Sequence, residues 1–377
     1  MNKLTGELIK SSNLYNFIRR VGILPVPERI IGRFGNSYRT LDELKNDPHV
    51  WSCIQSRKSG TLTLDTFIDT DGCSPEVGEF VKYVFERLDT NALISEVLDA
   101  ILLGFQVHEI IWIHDDKRDS YLIPEMLKVR KQELFAFSHD GKLLYKNESK
   151  EGFLVVPEFK FLVSSFEANA TNPYGSGLLS KIYWFVTFKN SAVRFWVNYM
   201  EKYGMPLIFG QINRGNSQQD AERLAESLVE MTDNTVIIAP DDVKIEMKEA
   251  ARNSSSELFG DLINYCNAEI SKSILSETLT TELHSGSYAA AQTHFKIRKE
   301  VICSDTRLAE NTLNKLIEYI VKVNFGNVSN PKFRFVINDS DNVNKIDRDV
   351  KLASAGVRFT KEYWMKTYGL SESDFNY

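Results

Sequence analysis

The chain has 377 residues, 43% hydrophobic and 25% charged, with 45 Lys and Arg against 51 Asp and Glu for a formal net charge of −6. A chain of that length can bury a sizeable core and is expected to form two or three domains, which excludes a disordered, collagen-like or disulfide-stapled protein. The mild acidity also sets it against tight, sequence-specific DNA binding, which draws on an excess of Lys and Arg.

The first residues, MNKLTGELIKSSN, lack the apolar stretch of a signal peptide. No stretch approaches the ~18 apolar residues of a membrane span, so the expectation is a soluble protein made in the cytoplasm. Asp47-Pro48 reads as N-cap and first position of a helix carrying Val50, Cys53, Ile54 and Arg57 and ending at Gly60. TLTLDTFID (61–69) alternates as a strand should. Pro75 opens a helix whose apolar stripe is Val77, Phe80, Val81, Val84, Phe85 and Leu88. A second helix, capped by Thr90, stops at Gly104. Short β-rich runs fill 105–165, namely FQVHEIIWI, LFAFS, KLLYK, FLVV and KFLVSS, with Asp140-Gly141 as a hairpin turn. The first 165 residues therefore read as one α+β domain.

The polar loop FEANATNPYG (166–175) leads into a helix of about 28 residues, roughly 42 Å, that runs to Gly204. That helix is aromatic nearly all round, with Tyr183, Trp184, Phe185, Phe188, Phe195, Trp196 and Tyr199, so it must be covered on several sides. A compact unit follows: strand 206–212, helix 218–231, and strands 235–240 and 244–249. Charge is partitioned here, since 176–204 carries a net +3 and 205–249 a net −5. A helix from about 254 to 275 places Leu258, Leu262, Cys266, Ile270 and Ile274 at i+4 spacing. The polar break SETLTTELHSG (276–286) precedes a third long helix, 287–323. Strand 332–337, a helix around 343–355 and a last helix after Thr360 close the chain.

Chemistry-bearing motifs are sparse. Cys53, Cys73, Cys266 and Cys303 form no CxxC pair and read as reduced, mostly buried thiols of an intracellular protein. The six histidines, 49, 108, 114, 139, 284 and 294, never fall at a metal-ligand spacing. There is no P-loop, and Gly175-Ser176-Gly177 lacks a third glycine at Ser180, so Pro173 and the two glycines read as the sharp turn into the long helix. The acidic pairs Asp241-Asp242 and Asp339/Asp341 read as solvated turn residues. No catalytic constellation emerges.

Four blocks of sequence nonetheless carry a resemblance. DPHVWSCIQSRKSG (47–60), GFQVHEIIW (104–112), NPYGSGLLSKIYWFVTFKNSAVRFWVNYMEKYGMP (172–206) and ILSETLTTELHSGSYAAAQTHFKIR (274–298) resemble, in order and spacing, the motif blocks of Mu-type phage portal proteins. Ser276 departs from the family, which commonly has a glycine before the TLTT stretch, and is expected to make the loop slightly less flexible. The short C-terminus leaves little room for a helical crown.

The resemblance implies an α+β portal fold with an α/β wing, a two-helix stem, a small α/β clip, a tunnel loop and a long return helix. Its segments would be wing 1–173, stem helix 174–204, clip 205–250, second stem helix 251–275, tunnel loop 276–286, long wing helix 287–323, and C-terminal wing or reduced crown 324–377. It implies a homo-oligomeric ring, typically of twelve subunits, at one vertex of a virion capsid, assembled in the host cytoplasm, through which DNA is packaged and later ejected. Thr278, Thr280, Thr281, Glu282, His284 and Ser285 would lie nearest the DNA. Lys181, Lys189, Arg194, Trp184 and Trp196 would mark the stem, and Asp220, Glu226, Asp241 and Asp242 the clip's docking surface. Implied partners are the terminase large subunit, the major capsid or scaffold protein, a head-completion or tail-connector protein, and double-stranded DNA in non-specific passage. No cofactor, metal, membrane or enzymatic activity is implied. Two other readings stand beside it: a metal-dependent nucleic-acid-processing enzyme with unrecognised catalytic residues, and a domesticated oligomeric scaffold.

Overall fold

The structure, a computed structural model, describes residues 38–116, 118–138, 140–146, 153–203, 208–212, 217–232, 236–240, 252–278, 288–337 and 342–368. A short helix α1 (Tyr38–Glu43) leads to α2 (Pro48–Leu62), and Asp47 caps α2 by accepting from the backbone N–H groups of His49 and Val50. Gly60, read as the helix end, lies inside α2. A Cβ there would stand 2.6 Å from Cδ1 of Ile302, so the missing side chain serves close approach of two helices rather than termination. The strand expected over 61–69 is accordingly only β1 (Thr66–Asp69).

Ser74 caps α3 (Pro75–Arg87), whose stripe from Val77 to Phe85 is buried as the spacing requires. The next helix is capped by Asp89, which accepts from the N–H of Ala92, and not by Thr90; the carboxylate stands at the N-cap position, three residues before that orphan donor, whereas Thr90 is already the first helical residue. It is interrupted at Leu98, giving α4 (Thr90–Val97) and α5 (Asp99–Leu103), and Gly104 ends it at φ +96°.

β2 (Phe105–Asp115) is the centre of a three-stranded antiparallel sheet between β3 (Arg118–Arg130) and β7 (Phe161–Ser165). The thirteen-residue β3 was missed in the sequence, because Pro124 and two register irregularities, after Ile111 and after His114, break its alternation. A second antiparallel sheet joins β4 (Phe135–Phe137), β5 (Leu143–Lys146) and β6 (Phe153–Val155), with Gly141 at φ +72° in the expected turn.

Two long helices, α6 (Leu178–Tyr203) and α8 (Arg252–Leu275), flank a unit in which β8 (Ile208–Ile212) and β9 (Val236–Pro240) pair in parallel across α7 (Gln218–Thr232). The third strand expected at 244–249 lies outside the described residues. The 38-residue α9 (Tyr288–Phe325) follows, then β10 (Lys332–Phe335), antiparallel to β1. The chain closes with α10 (Asn342–Ser354) and α11 (Lys361–Tyr368), joined through Asp349, which accepts hydrogen bonds from the hydroxyls of Tyr363 and Tyr368 at 2.8 and 2.7 Å.

One cluster packs α2, β2 and β4 with Leu179, Ile182 and Val186 of α6 and Ile270 and Ile274 of α8. The other packs α3, α4 and β2 with Ala309, Leu313, Ile317 and Ile320 of α9 and Phe333 and Phe335 of β10. The α+β body is therefore not complete in the first 165 residues; the return helix and β10 supply one wall of it.

Candidate functional site: the paired helices and the root of their loop

The glycine-rich lead-in to α6 is a contact of backbone on backbone. Gly175 lies at φ +72°, and a Cβ on it would meet the carbonyl oxygens of Gly104 and Phe166, each at 2.3 Å. A Cβ on Gly177 would stand 2.5 Å from the carbonyl oxygen of Leu102. The N–H of Phe166 donates to Gly104 O and that of Ser176 to Phe166 O, so the start of α6 is bolted to the α5–β2 corner. This is the turn that Pro173 and the two glycines predicted.

From there α6 and α8 run antiparallel, Phe185 meeting Tyr265 and Tyr199 meeting Phe259 edge-on or tilted, with ring centroids 6.2 and 6.1 Å apart. Leu179, Ile182, Val186, Lys189 and Ala192 form the buried stripe of α6. Beyond Ala192 burial stops: from Val193 to Glu201 no residue of α6 is buried, and Phe195 is 61% and Met200 49% exposed. Trp184 and Phe188 stack on each other on an open face, Trp196 is half-buried, and Leu258, Leu262 and Tyr265 of α8 are exposed too.

The three cations marked in the sequence part company. Lys181 and Arg194 are exposed, whereas Lys189 is buried and donates to Asp47 at 2.6 Å and to Asn267 Oδ1 at 3.1 Å. Asp47 thus caps α2 and neutralises α6 at once. Beside it, His49 Nε2 lies 2.8 Å from Ser271 Oγ and 3.0 Å from Asn267 O, and Cys53 Sγ lies 3.7 Å from Ser271 Oγ. Burial pushes the Cys53 and Cys266 thiols up, so both stay protonated.

At the other end of α8, Arg57 makes a bidentate pair with Asp305 of α9, at 2.7 and 2.8 Å, and donates to the carbonyl of Ile274 at 2.6 Å. Asp305 is 1% exposed. One guanidinium therefore joins α2, α9 and the last turn of α8, immediately before the loop. Ser276 takes φ +61°, the left-handed region that a glycine enters without penalty, which explains why a glycine suits this position. Glu277 is buried and Thr278 half-buried. Thr280, Thr281, Glu282, His284 and Ser285 lie outside the described residues.

Of the acidic positions in the insert, Glu226 is exposed on α7, Asp220 lies on the same helix, and Asp241 and Asp242 fall outside the described residues. The ion pairs of Lys189 and Arg57 were not foreseen, though a signal existed. Lys189 follows Ile182 and Val186, and Arg57 follows Val50 and Cys53, at helical spacing, which puts each charge on a buried stripe where only a paired charge is tolerated. His108 is fully buried on β2, and burial pushes it down to about 4 against the opposing pull of Asp99, so it is neutral. Among the described residues, no group of three or more His, Cys, Asp or Glu could hold a metal ion. No described helix is long and apolar enough to cross a membrane.

Compared with known proteins, residues 38–370 match the family described as portal protein of Mu bacteriophage. The portal protein of Escherichia phage Mu is 25% identical over 286 residues, 74% of this chain and 55% of that protein. The Mu-like prophage FluMu protein gp29 of Haemophilus influenzae (strain ATCC 51907 / DSM 11121 / KW20 / Rd) is 24% identical over 335 residues, 85% of this chain and 64% of that one. The chain thus spans between half and two thirds of these relatives' length. Among solved structures, a chain of the virion of the native gene transfer agent particle aligns with TM-score 0.59 and 14% identity, covering 92% of this chain and 99% of its own. A chain from the neck of that particle, computed with C12 symmetry, aligns with TM-score 0.59 and 12% identity over 95% and 99%. At these identities the likeness is one of fold.

Proposed function

The chain belongs to the family of portal proteins of Mu bacteriophage, and from that premise we propose that it is the repeating subunit of a twelve-membered ring at a capsid vertex, through which DNA is packaged and ejected. The observation that carries this reading is the open apolar surface of the helix pair, which continues along α6 from Val193 to Glu201, where no residue is buried. Phe188, Phe195 and Met200 of α6 and Leu258 and Tyr265 of α8 are between 49% and 65% exposed in one subunit, an apolar surface that water disfavours and a neighbour would cover. A head-to-tail contact of this kind generates a ring when its rotation closes. The gene transfer agent neck, with its C12 symmetry, supports the number twelve.

In this reading the α+β body with α9 and β10 is the wing, α6 and α8 the stem, β8–α7–β9 the clip, 276–286 the tunnel loop, and α10 and α11 the C-terminal wing or reduced crown. With Lys189 consumed by Asp47, Lys181 and Arg194 are the exposed cations among the described side chains of α6, so any grip on phosphates is weak and DNA slides. The threonine-rich loop, rooted by Arg57 and Asp305, would touch the moving backbone. The acidic clip would dock the terminase and later a connector, and the wing would meet capsid or scaffold protein. The purified protein is expected to form rings in electron micrographs, with a solution mass twelve times the 43.2 kDa subunit. A strictly monomeric protein under assembly conditions would overturn the proposal.

A further inference from the structure

Two apolar surfaces of the helix pair face opposite ways. At about 100° per residue, the buried stripe of α6, Leu179, Ile182 and Val186, continues past the body as Val193, Val197 and Met200, all six within about 60° of one another. The α+β body covers the first three, whereas the last three are exposed. Phe188 and Phe195, also exposed, lie about 160° round the same helix from that stripe. On α8 the exposed Leu258, Leu262 and Tyr265 fall within about 60° of one another and about 130° from Ile270 and Ile274, which pack on the body. Phe185 and Tyr199 of α6 meet Tyr265 and Phe259 of α8 and mark the seam between the helices. Both exposed sets therefore lie on one side of that seam, turned from the body. The pair carries a broad, ring-bearing far side and, in its outer half, a narrow aliphatic near side.

We propose that the far side of one subunit packs on the near side of the next copy of the chain, head to tail. This rests on the ring reading and goes beyond it by saying which two surfaces meet. A surface that meets itself closes as a two-fold pair, whereas a ring needs two different surfaces on opposite sides of each subunit. The helix pair offers that arrangement. Area fits as well. Phe188, Phe195 and Tyr265 are between 50% and 61% exposed. At about 150–250 Å² per aromatic residue they alone supply on the order of 300 Å², before the two leucines, of the roughly 800 Å² that each partner gives to a standard interface.

Charge selects the orientation. Arg194 is exposed at the rim of the near side, one turn from Val197, and Asp261 is exposed at the rim of the far side, one turn from Tyr265, with Glu257 a turn beyond it. None of the three is in an ion pair among the described residues. The contacts of Tyr199 with Phe259 and of Lys189 with Asn267 put Asp261 within about one helical turn of the level of Arg194. Rotation about a ring axis brings copies together without a shift along it, so Arg194 of one copy meets Asp261 of the next. In the ring Lys181 is then the one open cation among the described side chains of α6.

Cysteine pairs and a charge swap test it on the full chain, with rings scored in electron micrographs of every sample. In a background of Cys73→Ser and Cys303→Ser, Ser191→Cys places a thiol at the far side and Val193→Cys one at the near side, about 160° apart on one helix. A short bis-maleimide is expected to link the double variant into a ladder of chains reaching twelve and to leave each single variant as monomers. Dimers from either single variant would show a surface meeting itself and overturn the proposal. Rings without a ladder would overturn it too, while leaving the ring reading intact. A chain that forms no rings before any substitution overturns the ring reading and this proposal with it. Arg194→Asp is expected to lower the yield of rings at least about fivefold, and Asp261→Arg in the same chain to restore it. An unchanged yield, or no recovery in the double variant, would overturn the assigned pairing.

Discussion

From Leu178 to Ala192, α6 buries a residue every three or four positions and spends even a lysine on an internal ion pair, whereas from Val193 to Glu201 the same helix buries none. Composition does not separate the two halves, since each is rich in aromatic and aliphatic residues. What separates them is the partner. The first half is seated on the α+β body, whereas the second, among the described residues, packs on α8, one helix wide, so its remaining faces are exposed. The same amphipathic chemistry thus builds the subunit in one half and, in the proposed function, the ring in the other.

The sharpest way to break this contrast is at the internal pairs. Arg57→Ala leaves Asp305 buried and unpaired and frees the carbonyl of Ile274, and a loss of about 3–5 kcal/mol in urea unfolding is expected. A loss below about 1 kcal/mol would mean that the root of the loop is not fixed in this way.

Next in size is a pH effect inside the body. Because His108 is held at about 4 when folded and titrates near 6.5 when unfolded, the unfolded chain binds the extra proton. Its contribution is therefore complete above about pH 6.5 and is lost as pH falls toward 4, by roughly 3 kcal/mol. His108→Gln should flatten the stability profile in that window, and an unaltered profile would show that another group governs it.

The smallest stability effect is expected at the outer half of α6. Phe195→Ser with Met200→Ser should change subunit stability by no more than about 0.5 kcal/mol while lowering the yield of rings in electron micrographs. Val186→Ser, one residue of the buried stripe, should do the reverse and unfold the subunit first. If the exposed pair destabilised the isolated subunit as much as the buried one, the contrast between the halves would fail.

Much of the architecture was legible because local physics writes it. The stripe of α3, the length of α6 and α8, the glycines at 175 and 177 and the Asp140-Gly141 turn each follow from spacing or from a backbone angle that few residues can take. Where competing local signals were close, the reading slipped: Asp89 rather than Thr90 caps α4, Gly60 lies within its helix, and β3 hides behind Pro124. Of the candidate site, the lead-in to α6 was readable. The role of Lys189 was not, since its exposure depends on Asp47, 142 residues away.

By itself the sequence determined where the long helices and most of the short strands lie, that charge is split between a basic helix and an acidic insert, and which family's blocks the chain carries. Periodicity, caps and short motifs act within a few residues, so they survive without a fold. Only the tertiary structure decided which charges remain available. Folding brings Arg57 onto Asp305 and Lys189 onto Asp47, and completes the body with α9 and β10. Those outcomes depend on pairs far apart in the chain, where the balance of burial against pairing is struck in space and not along the sequence.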